Sequence, residues 1–142
     1  MSPRDFHDRT RNEVLSSSDS EQLFQTAKQY YLEKNYDQSL KLAMQSFFQN
    51  HDTGFRFFVS DLIGRIYYHQ KEYDSARIWF AKALEGFRLL PNQYQQQEQL
   101  LFPIWLDYAG SIIRSPKSTE NELLKILYAL DNKERKLSDS AA

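Results

Sequence analysis

Three histidines, His7, His51 and His69, are the side chains best suited to proton transfer or metal binding near neutral pH. Metal-binding helices carry their ligands at spacings such as His-x3-His, and none of the three has a partner so placed. They read instead as a tail, a turn and a helix end. With no cysteine, the chain has no thiolate nucleophile, disulfide or cysteine-based zinc or iron–sulfur site. Gly54, Gly64, Gly86 and Gly110 are isolated, so no glycine-rich loop forms a phosphate cradle. The expectation is a non-catalytic protein with no cofactor and no metal. An enzyme would need a His–carboxylate cluster assembled in three dimensions, which His69→Ala tests.

Arginines near aromatic residues are the other chemistry on offer: Arg56, Arg65, Arg77 and Arg88. A basic track with stacking rings holds single-stranded nucleic acid. Asp61, Asp74 and Glu85 interrupt that track, however, and 18 basic against 19 acidic side chains leave a net charge of -1. No nucleic acid is expected as a partner, and a single-strand binder remains the remote alternative. No run approaches the ~18 apolar residues of a membrane span, so no membrane insertion is expected. The first residues, Met-Ser-Pro-Arg-Asp-Phe-His, do not read as a secretory signal. A cytoplasmic location is expected, and a nuclear one is compatible.

The elements that must position these groups are helical. A chain of 142 residues suits one domain, and 4 Gly with 4 Pro leave little turn chemistry for an all-β fold. Residues 1–18 read as a disordered polar tail. Ser18-x-x-Glu21 has the form of a capping box opening a helix over 19–33, with Leu23, Ala27 and Tyr30 on one face. Further helices are expected over 36–49, over 55–70 after a cap at Asp52 or Thr53, and over 73–88. A fifth covers 93–113, where Pro103 must kink or restart it. Thr119-x-x-Glu122 repeats the capping-box form before a last helix with Leu123, Leu124, Leu127 and Leu130. After about Arg135 the tail reads as polar, with 136–142 disordered. The predicted fold class is all-α, an array of antiparallel hairpins from about six helices.

Two hairpins repeat each other. Ala27-x2-Tyr30-Tyr31 through Tyr36-Asp37 and Ser39 aligns without gaps to Gly64-x2-Tyr67-Tyr68 through Tyr73-Asp74 and Ala76, a shift of 64 − 27 = 37 residues. The second copy, Ile63-Gly64-x2-Tyr67, then Tyr73-Asp74 and Ala76-x3-Phe80 with Ala83, resembles the tetratricopeptide repeat (TPR). Ser60 stands in the tryptophan slot and Pro91 falls late. A degenerate third copy begins at Trp105-x2-Tyr108-Ala109-x2-Ile112. The repeats are expected over about 20–53, 57–91 and 102–131, within a helical domain spanning 19–135. Small residues such as Ala27 and Gly64 should allow close helix approach, and filling Gly64 should overpack the hairpin by about 1–3 kcal/mol.

The resemblance implies an α-solenoid whose first helices line a concave, aromatic groove for an extended peptide or a helix of another protein. Carried onto this chain, the groove positions are Phe24, Lys28, Tyr31 and Leu32 from the first copy, and Phe58, Asp61, Arg65, Tyr68 and His69 from the second. Tyr30, Tyr36, Tyr67, Tyr73 and Phe80 are explained by hairpin packing, whereas Phe24, Tyr31, Phe58 and Tyr68 are not required by it in the same way. A double change, Phe58→Ala with Arg65→Glu, is expected to remove partner capture and leave melting nearly unchanged. The resulting functional expectation is a small scaffold, adaptor or complex subunit. The alternative is an obligate subunit or self-associating protein that uses its last helix.

Overall fold

The computed structural model describes residues 17–91, 93, 99, 101–115, 117 and 119–141, with backbone alone at 17–18 and 133–141. Its elements are six helices: α1 (Ser17–Leu32), α2 (Tyr36–Gln49), α3 (Thr53–His69), α4 (Tyr73–Arg88), α5 (Leu101–Arg114) and α6 (Glu120–Ala141). No strand occurs among the described residues. Helices next to each other in sequence pack as hairpins: α1 with α2, α3 with α4, and α5 with α6, while α5 also packs on α4. The chain divides into two compact units, one ending at His51 and one starting at Asp52.

In the first unit, two buried polar contacts tie the hairpin together. The Ser39 hydroxyl donates to the Ala27 carbonyl at 2.7 Å, and Asn50 Nδ2 donates to Ser20 Oγ at 3.0 Å. Both pairs cross between α1 and the α2 segment, so neither serine is a buried hydroxyl without a partner. Ala27 and Ala43 are fully buried, and their small size lets the helices approach.

The second unit has a larger apolar core. Phe57, Ala76, Phe80, Ala83 and Phe87 pack with Leu90, Leu101 and Ile104, joining α3, α4 and α5. Ala109, Ile112 and Ile126 continue the packing to α6, with Leu123 and Leu130 at its edge. Ile104 and Phe80 are among the largest fully buried side chains. Each full burial of this kind stabilises by about 1.5–3 kcal/mol.

The two hairpin turns are internally the same. Lys34 and Lys71 both adopt φ 63°, and they are 37 residues apart. Asn35 N–H donates to the Tyr30 carbonyl and Lys34 N–H to that of Tyr31, at 2.9 and 3.0 Å. Glu72 to Tyr67 and Lys71 to Tyr68 repeat those bonds at the same distances. This is the Schellman termination, whose left-handed residue is usually glycine. A lysine there carries a steric cost of about 1–2 kcal/mol. Lys71→Gly should therefore stabilise the protein by about 0.5–1 kcal/mol, the gain being reduced by the freer unfolded chain. A higher urea midpoint with an unchanged slope is the expected reading.

Several helix boundaries differ from the sequence expectation. The described chain is already helical at Ser17, so Ser18 lies inside α1 rather than capping it. The remainder of the expected N-terminal tail, and most of the glutamine-rich opening of the fifth segment, lie outside the described residues. Asp52 is the cap of α3, accepting from Phe55 N–H at 2.8 Å. Pro103 restarts the helix. It sits in the first turn of α5, where backbone N–H groups have no helical acceptor to lose. Thr119 caps α6 by accepting from Glu122 N–H at 3.2 Å. The Glu122 carboxylate does not complete the reciprocal box, because Arg77 of α4 takes it at 3.0 Å. Finally, α6 runs to Ala141 rather than stopping near Arg135. Its later residues include neither glycine nor proline, and Lys, Glu, Arg and Leu continue a helix at little cost.

Candidate functional site

The nine residues placed on the groove by sequence occupy equivalent stripes on the first helix of each repeated hairpin. Phe24, Lys28, Tyr31 and Leu32 stand 37 residues before Asp61, Arg65, Tyr68 and His69. In α1, Lys28 Nζ lies 4.9 Å from the centroid of the Phe24 ring. The same i, i+4 position in α3 holds an ion pair, Arg65 to Asp61 at 3.1 Å. Leu32 is 73% exposed at the end of α1. Phe24, Lys28 and Tyr31 are half-buried.

Tyr31 and Tyr68 do take part in hairpin packing, which corrects the sequence reading. Tyr31 stands edge-on to Tyr36 at 5.9 Å between ring centroids, and Tyr68 to Tyr73 at 5.4 Å. Each ring bridges the first helix of its hairpin to the start of the second. Tyr68 is further enclosed by α5. A Cβ added at Gly110 would lie 2.8 Å from the Tyr68 hydroxyl, and the Arg114 guanidinium is 5.9 Å from the Tyr68 ring.

Phe58 remains available. It is 44% exposed, with one edge contact to Phe57 at 5.0 Å. His69 is exposed at the end of the same helix. Between them the carboxyl of Asp61 is pushed above its ordinary value by burial, against the lowering effect of Arg65, and Asp107 adds to the rise. Asp107, on α5, is also raised by burial and lowered by Arg65 and His69. Arg65 is thus paired with Asp61 and within electrostatic reach of Asp107 on α5, whereas the sequence alone presents it as a cation open to a partner.

Sequence reasoning missed the α5 side of this face. Aligning Ala109 with Gly64 gives a shift of 45, which puts Leu106, Gly110, Ile113 and Arg114 in register with Asp61, Arg65, Tyr68 and His69. Leu106 is 48% and Ile113 63% exposed. The signal was present in Trp105-x2-Tyr108-Ala109, but the loop after α5 hid how far the repeat continues. Phe58 on α3 and Leu106 and Ile113 on α5 therefore leave exposed apolar side chains on the two helices that carry Asp61, Arg65 and Asp107. That arrangement suits an apolar anchor with a polar contact to orient it.

On the other side of α5 lies a cavity of about 710 Å³, bounded by α4, α5 and α6 and lined by Arg77, Leu84, Trp105, Tyr108 and Glu122 among others. The Arg77–Glu122 ion pair spans it. Burial and the nearby Glu122 raise the Tyr108 hydroxyl above its usual pKa, and Arg77 opposes them. Among the described residues no three His, Asp or Glu side chains gather as metal donors would, and no helix is long and apolar enough to cross a membrane. Compared with known protein families, curated proteins and solved structures, the chain matches none.

Proposed function

We propose that the protein is a non-catalytic protein–protein interaction module of the TPR type, a small scaffold or subunit that holds a peptide segment or helix of another protein. The observation that carries this reading is the set of exposed apolar side chains, Phe58 on α3 and Leu106 and Ile113 on α5, on two helices whose Asp61, Arg65 and Asp107 interact electrostatically. Burying aromatic and branched side chains supplies affinity, and a fixed polar centre supplies orientation. The repeat reading is supported by the common turn geometry at Lys34 and Lys71, and by tyrosine pairs at equivalent positions. In that reading Phe24, Lys28 and Leu32 give the first hairpin a surface of the same kind. The cytoplasm, or the nucleus, is the location that goes with such a role.

A variant carrying Phe58→Ala and Leu106→Ala tests this. Both side chains are about half exposed, so circular dichroism and the melting temperature should change little. Affinity for a partner captured by the wild-type chain should fall at least tenfold, as for the loss of a central apolar anchor.

A further inference from the structure

The cavity bounded by α4, α5 and α6 takes no part in the face on α3 and α5, and its lining has donors to spare. Two N–H groups of lining residues, Arg77 Nε and Trp105 Nε1, are buried and have no acceptor. Buried side-chain donors are nearly always hydrogen-bonded, so two in one lining mark a place short of acceptors. Neither nitrogen touches solvent, yet both side chains are only partly buried. A side-chain shift of the kind common on binding brings either N–H to the cavity.

Charge points the same way. The lining carries three cations, Arg77, Arg88 and Lys125, against two carboxylates, Glu85 and Glu122. Arg77 pairs with Glu122, and Arg88 with Glu85. Lys125 is left over: it is exposed, and it has no acidic partner among the described residues. Much of the remaining wall is apolar, with Leu84, Phe87 and Leu101 together with the Trp105 and Tyr108 rings, whose centroids are 5.9 Å apart. The volume of about 710 Å³ is that of a small-molecule site. Spare donors and one spare cation are complementary to a negative group that only accepts, carried on an apolar body. An ionised carboxylate is such a group, whereas a hydroxyl brings a donor and an ammonium brings only donors. We propose that this cavity binds a small monocarboxylic acid with an apolar body, its carboxylate taken by Lys125 and the N–H groups of Arg77 and Trp105. The inference is independent of the peptide-binding face on α3 and α5.

Octanoate, octanol and octylammonium share one chain, differ in the head group and do not absorb where tryptophan does. In a Trp79→Phe chain Trp105 is the sole tryptophan, so its fluorescence reads the site. Octanoate should bind with a Kd below about 1 mM, and octanol and octylammonium at least fivefold more weakly. Lys125→Glu, at an exposed position, should weaken octanoate at least threefold and leave octanol unchanged, and Lys125→Arg should retain the wild-type affinity. Ala81→Phe fills the cavity from a partly exposed part of its wall and should abolish octanoate binding at unchanged helix content. No binding of octanoate up to about 5 mM overturns the inference. Equal affinity for octanoate and octanol, indifference to Lys125→Glu, or binding that survives Ala81→Phe overturns it equally.

Discussion

Phe80→Ala is expected to cost about 3–5 kcal/mol, the largest effect of any single change in the second unit. The ring is fully buried among residues of α3, α4 and α5, so its removal leaves a cavity that three helices must collapse to fill. Gly64 is the reason the ring fits. A Cβ placed there would lie 2.7 Å from two carbons of the Phe80 ring, and Gly64→Ala should cost about 1–3 kcal/mol by itself. The two losses should not add. Without the ring, the new methyl has space, so the double variant should be less destabilised than the sum by about 1–3 kcal/mol. The first hairpin already has this solution: Ala27 and Ala43 occupy the positions of Gly64 and Phe80, and both are fully buried. Urea unfolding of the four proteins reads the coupling. Strict additivity would mean that the methyl and the ring do not compete for one space.

Arg65→Glu should destabilise the protein by about 2 kcal/mol near neutral pH, a value reduced from that for a fully buried pair because Arg65 is 40% exposed. The change puts a third carboxylate at 65, against Asp61 and within electrostatic reach of Asp107, where a cation previously offset both. The direction with pH follows from Asp61 and Asp107, whose carboxyls are raised above 3.8 in the folded protein, chiefly by burial. A raised carboxyl binds its proton more tightly when folded. Its favourable contribution is therefore complete below the unfolded value near 3.8 and is lost as pH rises through the folded value. Removing Arg65 raises the folded values further. The penalty should be greatest at neutral pH and shrink as pH approaches the ordinary carboxylate range. A penalty that is constant from about pH 7 to pH 4 would show that Arg65 acts by packing alone. The same reasoning corrects the expectation that Phe58→Ala with Arg65→Glu would leave melting nearly unchanged; Phe58 with Leu106 is the pair that spares the fold.

The parts of the molecule legible in sequence are those set by short-range periodicity. Tyr36–Gln49 and Tyr73–Arg88 have the bounds that their apolar spacing predicts, and the Ala27 and Gly64 positions announce close helix approach before any coordinate. Boundaries set by long-range contacts were not legible. Glu122 looks like half of a capping box, but Arg77, 45 residues earlier, takes its carboxylate. Arg65 looks like a groove cation because Asp107, on another helix, is not a neighbour in sequence. Tyr68 looks spare for the same reason, since its contact with Gly110 spans two turns and a helix. Conversely, the exposure of Leu106 and Ile113 follows from a repeat register that the sequence contains but that Pro103 and the loop after α5 obscure.

The most direct test of the central claim is the dissociation constant of a captured partner for the wild-type chain and for the variant carrying Phe58→Ala and Leu106→Ala, with folding of both checked by circular dichroism. A face on α3 and α5 that holds the partner predicts at least tenfold weaker binding at unchanged helix content. Equal affinity for the two folded proteins would contradict it and move the partner to another surface.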